Sequence, residues 1–207
     1  IPPVTESLNI NAETVENWKN VIAYVPLDDR PDNVGRVVYL AESLGYQLEM
    51  PEEDWYQTKL DAQPLNENGT QYGDRAKLYE WVLEQEKNGC DRYILFLDQL
   101  LSGGLVNSRH ISGENPVTLS DGRVLTENEL LNELMATLTA DKNNRVWLLD
   151  TVMRLAPTCG YDGFGIQEYN NLRAYGMQPR PVLKAEELSV ENVLEDYRLS
   201  HTGEILA

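Results

Sequence analysis

The feature that most constrains this 207-residue chain is an apolar, strand-like run that recurs, with a helix-like segment following each of its first three occurrences. Val21-Ile22-Ala23-Tyr24-Val25, Arg92-Tyr93-Ile94-Leu95-Phe96-Leu97 and Arg145-Val146-Trp147-Leu148-Leu149 are almost wholly apolar. A shorter run, Tyr46-Gln47-Leu48-Glu49-Met50, is stopped by Pro51. Continuous apolar strands belong to parallel sheets, where helical crossovers cover both faces. Between them the period becomes helical: Val34, Val37, Val38, Ala41 and Leu44 form one stripe, Leu78, Trp81 and Val82 a second, and Leu130, Leu131, Leu134, Met135 and Leu138 a third. The alternation places the chain in the α/β class, with a predominantly parallel sheet and strand-helix repeats. Four strands are half of a barrel, so an open sheet or an incomplete TIM-like barrel is expected.

Boundary signals agree with this plan. Asn33 is expected to cap the first helix and Gly45 to end it. Asp74 opens the second helix, which stops at Asn88-Gly89, and Thr126 with Glu129 reads as a capping box for the third. Val117 to Leu119 is expected to pair with Arg123 to Leu125 as a hairpin around Asp121-Gly122. Residues 1–19 read as a polar lead-in with a short helix from Ala12 to Trp18, 20–157 as the α/β core, and 158–207 as a C-terminal extension. The extension carries helical stretches at Ile166 to Tyr175 and, capped by Ser189, at Val190 to Tyr197.

Composition narrows the partners. A net charge of −17 argues against a nucleic-acid backbone or an anionic membrane surface. No apolar stretch approaches the ~20 residues of a membrane span. A chain that starts at Ile1 without methionine is expected to have lost an upstream piece, and signal-peptide cleavage with export is one cause. Cys90 and Cys159 fall at opposite ends of the expected sheet, which gives no disulfide, and neither has metal-ligand company. Nothing in the sequence sets an oligomeric state.

In a parallel sheet the segments after the strands share one edge. That edge collects Asp28, Asp29 and Arg30 in Pro26-Leu27-Asp28-Asp29-Arg30-Pro31, then Glu52, Glu53 and Asp54, then Asp98, Gln99, Gly103, Gly104, Asn107 and Arg109, and finally Asp150 and Arg154. An acid follows three strong strands. Each acid alone also suits a turn or a helix cap, and each arginine also suits pairing with a neighbouring acid. Taken together they allow a carboxylate pair for glycosidic chemistry, a carboxylate cluster for a divalent cation, or an arginine clamp on an anion. No motif specifies a metal or cofactor. Ser102-Gly103-Gly104 lacks the features of a phosphate loop, and Ser108 and His110 lie in no nucleophile-elbow pattern.

The three motifs at Pro26–Pro31, Leu97–Arg109 and Val152-Met153-Arg154, in this order and spacing, resemble a bacterial family known as domain of unknown function 4127. They cover roughly Val21 to Pro157, and Tyr169 to Arg173 is more loosely similar. The resemblance implies an α/β protein with shared residues in its strand-end loops and supplies no reaction. Family members are longer, so it also implies an N-terminal part of a larger protein or a shortened relative. From the residues, the expected activity is hydrolysis of a carbohydrate-like or anionic small substrate. Asp28 or Asp29 with Asp98 would form the acid/base or nucleophile pair, and Arg30, Gln99, Gly103, Gly104, Asn107, Arg109, Asp150 and Arg154 would bind. A sugar- or anion-binding module without chemistry, or a fragment with an incomplete site, are the alternatives.

Overall fold

The computed structural model describes residues 20–109, 115–152 and 158–177, with Ser189, Glu191, Asn192 and Glu195. The described chain divides into two compact units, one reaching to Asp150 and the other formed by Lys59–Leu65 with residues from Thr151 onward.

The first unit is built on four strands, β1 (Val21–Val25), β2 (Gln47–Glu49), β3 (Arg92–Phe96) and β6 (Arg145–Leu149). They form one parallel sheet in the order β2-β1-β3-β6. A barrel would pair strands in chain order, so this is the open alternative, and its order is that of a doubly wound sheet. The helices α1 (Gly35–Ser43), α2 (Glu53–Tyr56), α3 (Arg75–Lys87), α4 (Leu97–Ser102) and α5 (Glu127–Leu138) lie between the strands in the chain, and β4 (Val117–Thr118) pairs with β5 (Val124–Leu125) as the expected hairpin.

Strand alternation decides where the core sits. Ala23, Val25, Tyr93 and Leu95 point to one face and join Leu78 and Val82 of α3, Leu130, Leu134 and Leu138 of α5, and Val117, Leu119 and Leu125 of the hairpin segment in one buried cluster. Asp74 caps α3 by accepting from the Lys77 N–H. Thr126 and Glu129 close a capping box on α5, and hydrogen bonding to Thr126 holds the Glu129 carboxyl below its usual range. Cys90, buried, and Cys159, exposed, are free thiols.

Three expectations are corrected. Asn33 does not cap α1. Its amide turns to Asp28, and the Val34 and Arg36 N–H groups are satisfied by the Arg30 and Pro31 carbonyls. Leu44 leaves the α1 stripe and stands 67% exposed. Among the described residues the opposite face of the sheet is not sealed: Trp147 is 50% exposed, and Ile22, Ile94, Trp147 and Leu149 line a groove of about 470 Å³ together with Arg92 and Arg145. In the second unit, α6 (Ile166–Gly176) begins at Gly165, whose N–H donates to Glu168, and the Asp61 N–H donates to the Gly160 carbonyl. The lead-in helix and most of the Val190 to Tyr197 segment lie outside the described residues, although the Asn192 N–H donates to the Ser189 hydroxyl as a cap would require.

Leu134, fully buried, should lose about 2–5 kcal/mol on replacement by alanine, since both transfer energy and a cavity are involved. Leu44→Ala should stay within about 0.5 kcal/mol. Urea unfolding of both variants, read at the midpoint with unchanged slope, checks the assignment of the two stripes.

Candidate functional site

The strand order creates the site. From β1 the chain crosses to β2 on one side, and from β3 it crosses to β6 on the other, so the direction of winding reverses between β1 and β3. Loops leaving the carboxyl ends of two such strands part from each other, and ligands of open α/β sheets bind in the crevice between them. The segments leaving β1 and β3 are those that carry Asp28 to Arg30 and Asp98 to Arg109.

In the first segment, Asp28 is 6% exposed and its oxygens are fully engaged. Oδ1 accepts from the Arg30 N–H at 3.1 Å and from the Asn33 amide, and Oδ2 accepts from Arg30 Nε and Nη2, each at 2.7 Å. The hydrogen bond that Arg30 donates to Asp28 raises its already high pKa. Asp28 therefore organises the turn and neutralises the arginine beside it, while Arg30 itself stays mostly exposed and Asp29 half-buried.

Two tyrosines stand behind this turn. The Tyr24 hydroxyl donates to the Asn33 carbonyl at 2.7 Å, and its ring meets Phe96 edge-on. Burial raises its pKa, with the charges of Asp28 and the neighbouring Tyr56 adding to the effect. Tyr56, at the end of α2, is pushed up to about 12 by burial first, then by the charges of Glu53 and Asp29. These couplings gather Asp28, Asp29, Glu53 and two neutral phenols into one neighbourhood.

The second segment begins as α4, where the sequence reads as a loop. Asp98 is 2% exposed and Gln99 fully buried. In the orientation that satisfies its hydrogen bonds, the Gln99 amide donates to the Leu27 carbonyl at 3.0 Å and the Tyr56 carbonyl at 3.3 Å, which ties α4 to both the β1 turn and α2. Space for that amide comes from Gly73: a Cβ there would fall 2.0 Å from the Gln99 amide and 2.4 Å from the Trp55 carbonyl. Gly103 (φ 78°) ends α4 in the left-handed region, and a Cβ on it would meet the Gly73 carbonyl at 2.8 Å. Gly104 (φ 139°) continues the reversal. The chain then comes back over α4: the Gly104 N–H donates to the Asp98 carbonyl, the Ser108 N–H to the Gly104 carbonyl, and the Ser108 hydroxyl to Asp98 Oδ1 at 2.7 Å. Behind this, Ser102 donates to Glu127, and Arg75 holds the Leu101 and Asn115 carbonyls.

Of the residues read from the sequence, Asp28, Asp29 and Arg30 share the first turn, and Asp98, Gln99, Gly103 and Gly104 share the second segment, joined to the first through Leu27. Asn107 and Arg109 lie in a 3-10 turn, where Asn107 donates to the Ser102 carbonyl. Asp150 is exposed directly after β6, which β3 separates from β1. Arg154 and His110 lie outside the described residues. Among the described residues, no three His, Cys, Asp or Glu side chains come together as a metal would require. Tyr56, Gly73 and Ser108 were missing from the sequence-read site. Ser108 carried a signal, because ten residues with a double glycine between them allow the chain to return to Asp98.

A family described as Protein of unknown function (DUF4127) has a model that matches residues 22–185, and the chain belongs to that family. No curated protein and no solved structure matches it.

Gln99→Leu should cost about 1–3 kcal/mol for each carbonyl it strands. It should also loosen the β1 turn, seen as faster amide exchange there than in α5. The raised Tyr56 pKa predicts a pH effect: its contribution to stability is complete below about pH 10, where unfolded tyrosine is neutral, and is lost as pH rises towards 12. Tyr56→Phe should flatten that part of the stability curve.

Proposed function

We propose that this family member is a hydrolase acting on a neutral, carbohydrate-like small molecule held at the carboxyl edge between β1 and β3. The observation that carries the reading is the reversal of winding at that edge, with a hydrogen-bonding wall from each of its two loops. Tyr56 stays protonated, by its burial first and then by the charges of Glu53 and Asp29, which marks that side of the crevice as negative. The charges that hold its proton in place also oppose an anionic substrate, and Arg30 is offset by Asp28. This favours the carbohydrate-like form of the substrate over the anionic one.

In this reading Asp29 and Asp98 supply the acid and base, one from each loop. Asp28 acts by holding Arg30, and Gln99, Gly103 and Gly104 fix the spacing of the loops. Asn107, Arg109 and Asp150 contribute to substrate binding. A binding module without chemistry is the second reading, favoured by the full engagement of Asp28 and the 2% exposure of Asp98.

Melting curves of the chain with neutral sugars, glycosides, acylated sugars and sugar phosphates, followed by mass spectrometry of each mixture, separate the readings. Stabilisation by a neutral sugar derivative with product formation is expected, and Asp29→Asn should slow turnover by about 10²–10⁴-fold while melting normally. Stabilisation without product would select the binding module. Neither stabilisation nor product would reject both.

A further inference from the structure

We infer that Ser108 is a nucleophile, with Asp98 as its base, and that the bond cleaved is a carboxylic ester carried by the hydroxylated substrate. The inference rests on the hydrolase reading above and names its bond. Two observations lead to it. First, Asp98 is 2% exposed and its Oδ1 lies 2.7 Å from the hydroxyl of Ser108, which is only half-buried, so the carboxylate meets bound groups at the serine oxygen. A hydroxyl at hydrogen-bond distance from a carboxylate is the arrangement by which a base activates a serine, and the same carboxylate lies close enough to serve the leaving alcohol and the incoming water at that oxygen.

Second, the backbone is built to produce that contact. Gly103 and Gly104 reverse the chain at positive φ where neither has room for a side chain: a Cβ on Gly104 would lie 2.8 Å from Thr58 Oγ1. The Gly104 and Ser108 N–H groups then lock the return onto the Asp98 and Gly104 carbonyls. A turn that needed only to end α4 is complete at Gly104, where the Gly103 and Gly104 N–H groups have closed the cap on the Gln99 and Asp98 carbonyls. The further return brings Ser108 above Asp98, at the carboxyl edge of β3. The Leu105 carbonyl, 3.0 Å from the same hydroxyl, offers a second acceptor that can hold the serine when Asp98 carries the proton.

The chemistry balances with water as the only co-reactant. Ser108 Oγ bonds to the ester carbonyl carbon as its proton passes to Asp98. The tetrahedral adduct collapses by breaking the bond to the alcohol oxygen, which leaves with the proton from Asp98 as a sugar hydroxyl. Water, deprotonated by Asp98, then cleaves the acyl-serine and releases the carboxylic acid, and the proton returns to Ser108.

The full-length chain treated with a fluorophosphonate probe, which replaces fluoride by an activated serine oxygen, tests this directly. A single adduct at Ser108 by tandem mass spectrometry is expected, absent in Ser108→Ala, with labelling slowed about 10²-fold or more in Asp98→Asn. An acetyl ester of nitrophenol should give a burst of one equivalent of nitrophenol. Labelling at another residue, or no labelling, would overturn the inference from the wild-type chain alone, whatever the variants do to folding. If labelling fails while neutral sugars still stabilise the protein, only the nucleophile is wrong; if both fail, the site reading falls with it.

Discussion

The site depends on one buried amide. Gln99 has no exposed surface, and its two hydrogen bonds reach carbonyls from two other parts of the chain, Leu27 after β1 and Tyr56 at the end of α2. A dry carbonyl without a donor costs free energy comparable to a lost hydrogen bond. One side chain therefore sets the spacing between the loops of β1 and β3 and brings α2 alongside. Gly73 and Gly103 follow from it. With a Cβ at either position the amide or the neighbouring backbone would have to move, and the crevice would change shape. Rigid spacing of this kind is what a binding site needs from its supporting residues.

What the sequence disclosed and what it hid divide along a physical line. Strands β1, β3 and β6, the stripes of α3 and α5, the Asp74 cap, the Thr126–Glu129 box and the hairpin around Asp121-Gly122 were legible because each depends on residues a few positions apart. Strand order was not. Whether the second strand lies beside the third or across the first is decided by how crossovers pack, and no local pattern records it. The α4 helix was hidden for a different reason: six residues complete too few turns for a period to appear, and the glycines after it look like loop. Asn33 shows competition between equally local choices. A cap and a bond to Asp28 were both within reach, and the acid five residues earlier took the amide.

The acids at the sheet edge were read as equivalent because each follows an apolar strand, and the structure shows them to be unlike. Asp28 spends its oxygens on Arg30 and Asn33, Asp98 lies under Ser108, and Asp150 is in the open beyond β6. Position after a strand thus predicts which edge an acid reaches and says little about its work there. That is set by partners two, five or ten residues further along the chain.

Charge completes the argument about what the crevice accepts. The chain carries −17 overall, and the neighbourhood of Tyr56 is negative enough that Glu53 and Asp29 add to burial in holding a phenol proton. Any anion entering would feel the same penalty, because the phenolate and a ligand carboxylate differ little in charge. A guanidinium could reverse this only if it were not already committed, and Arg30 forks onto a single Asp28 oxygen. A neutral ester would meet no such barrier, and its cleavage would make a carboxylate that the same field expels. An acidic crevice would then favour entry of the substrate and departure of the acid product by one electrostatic term.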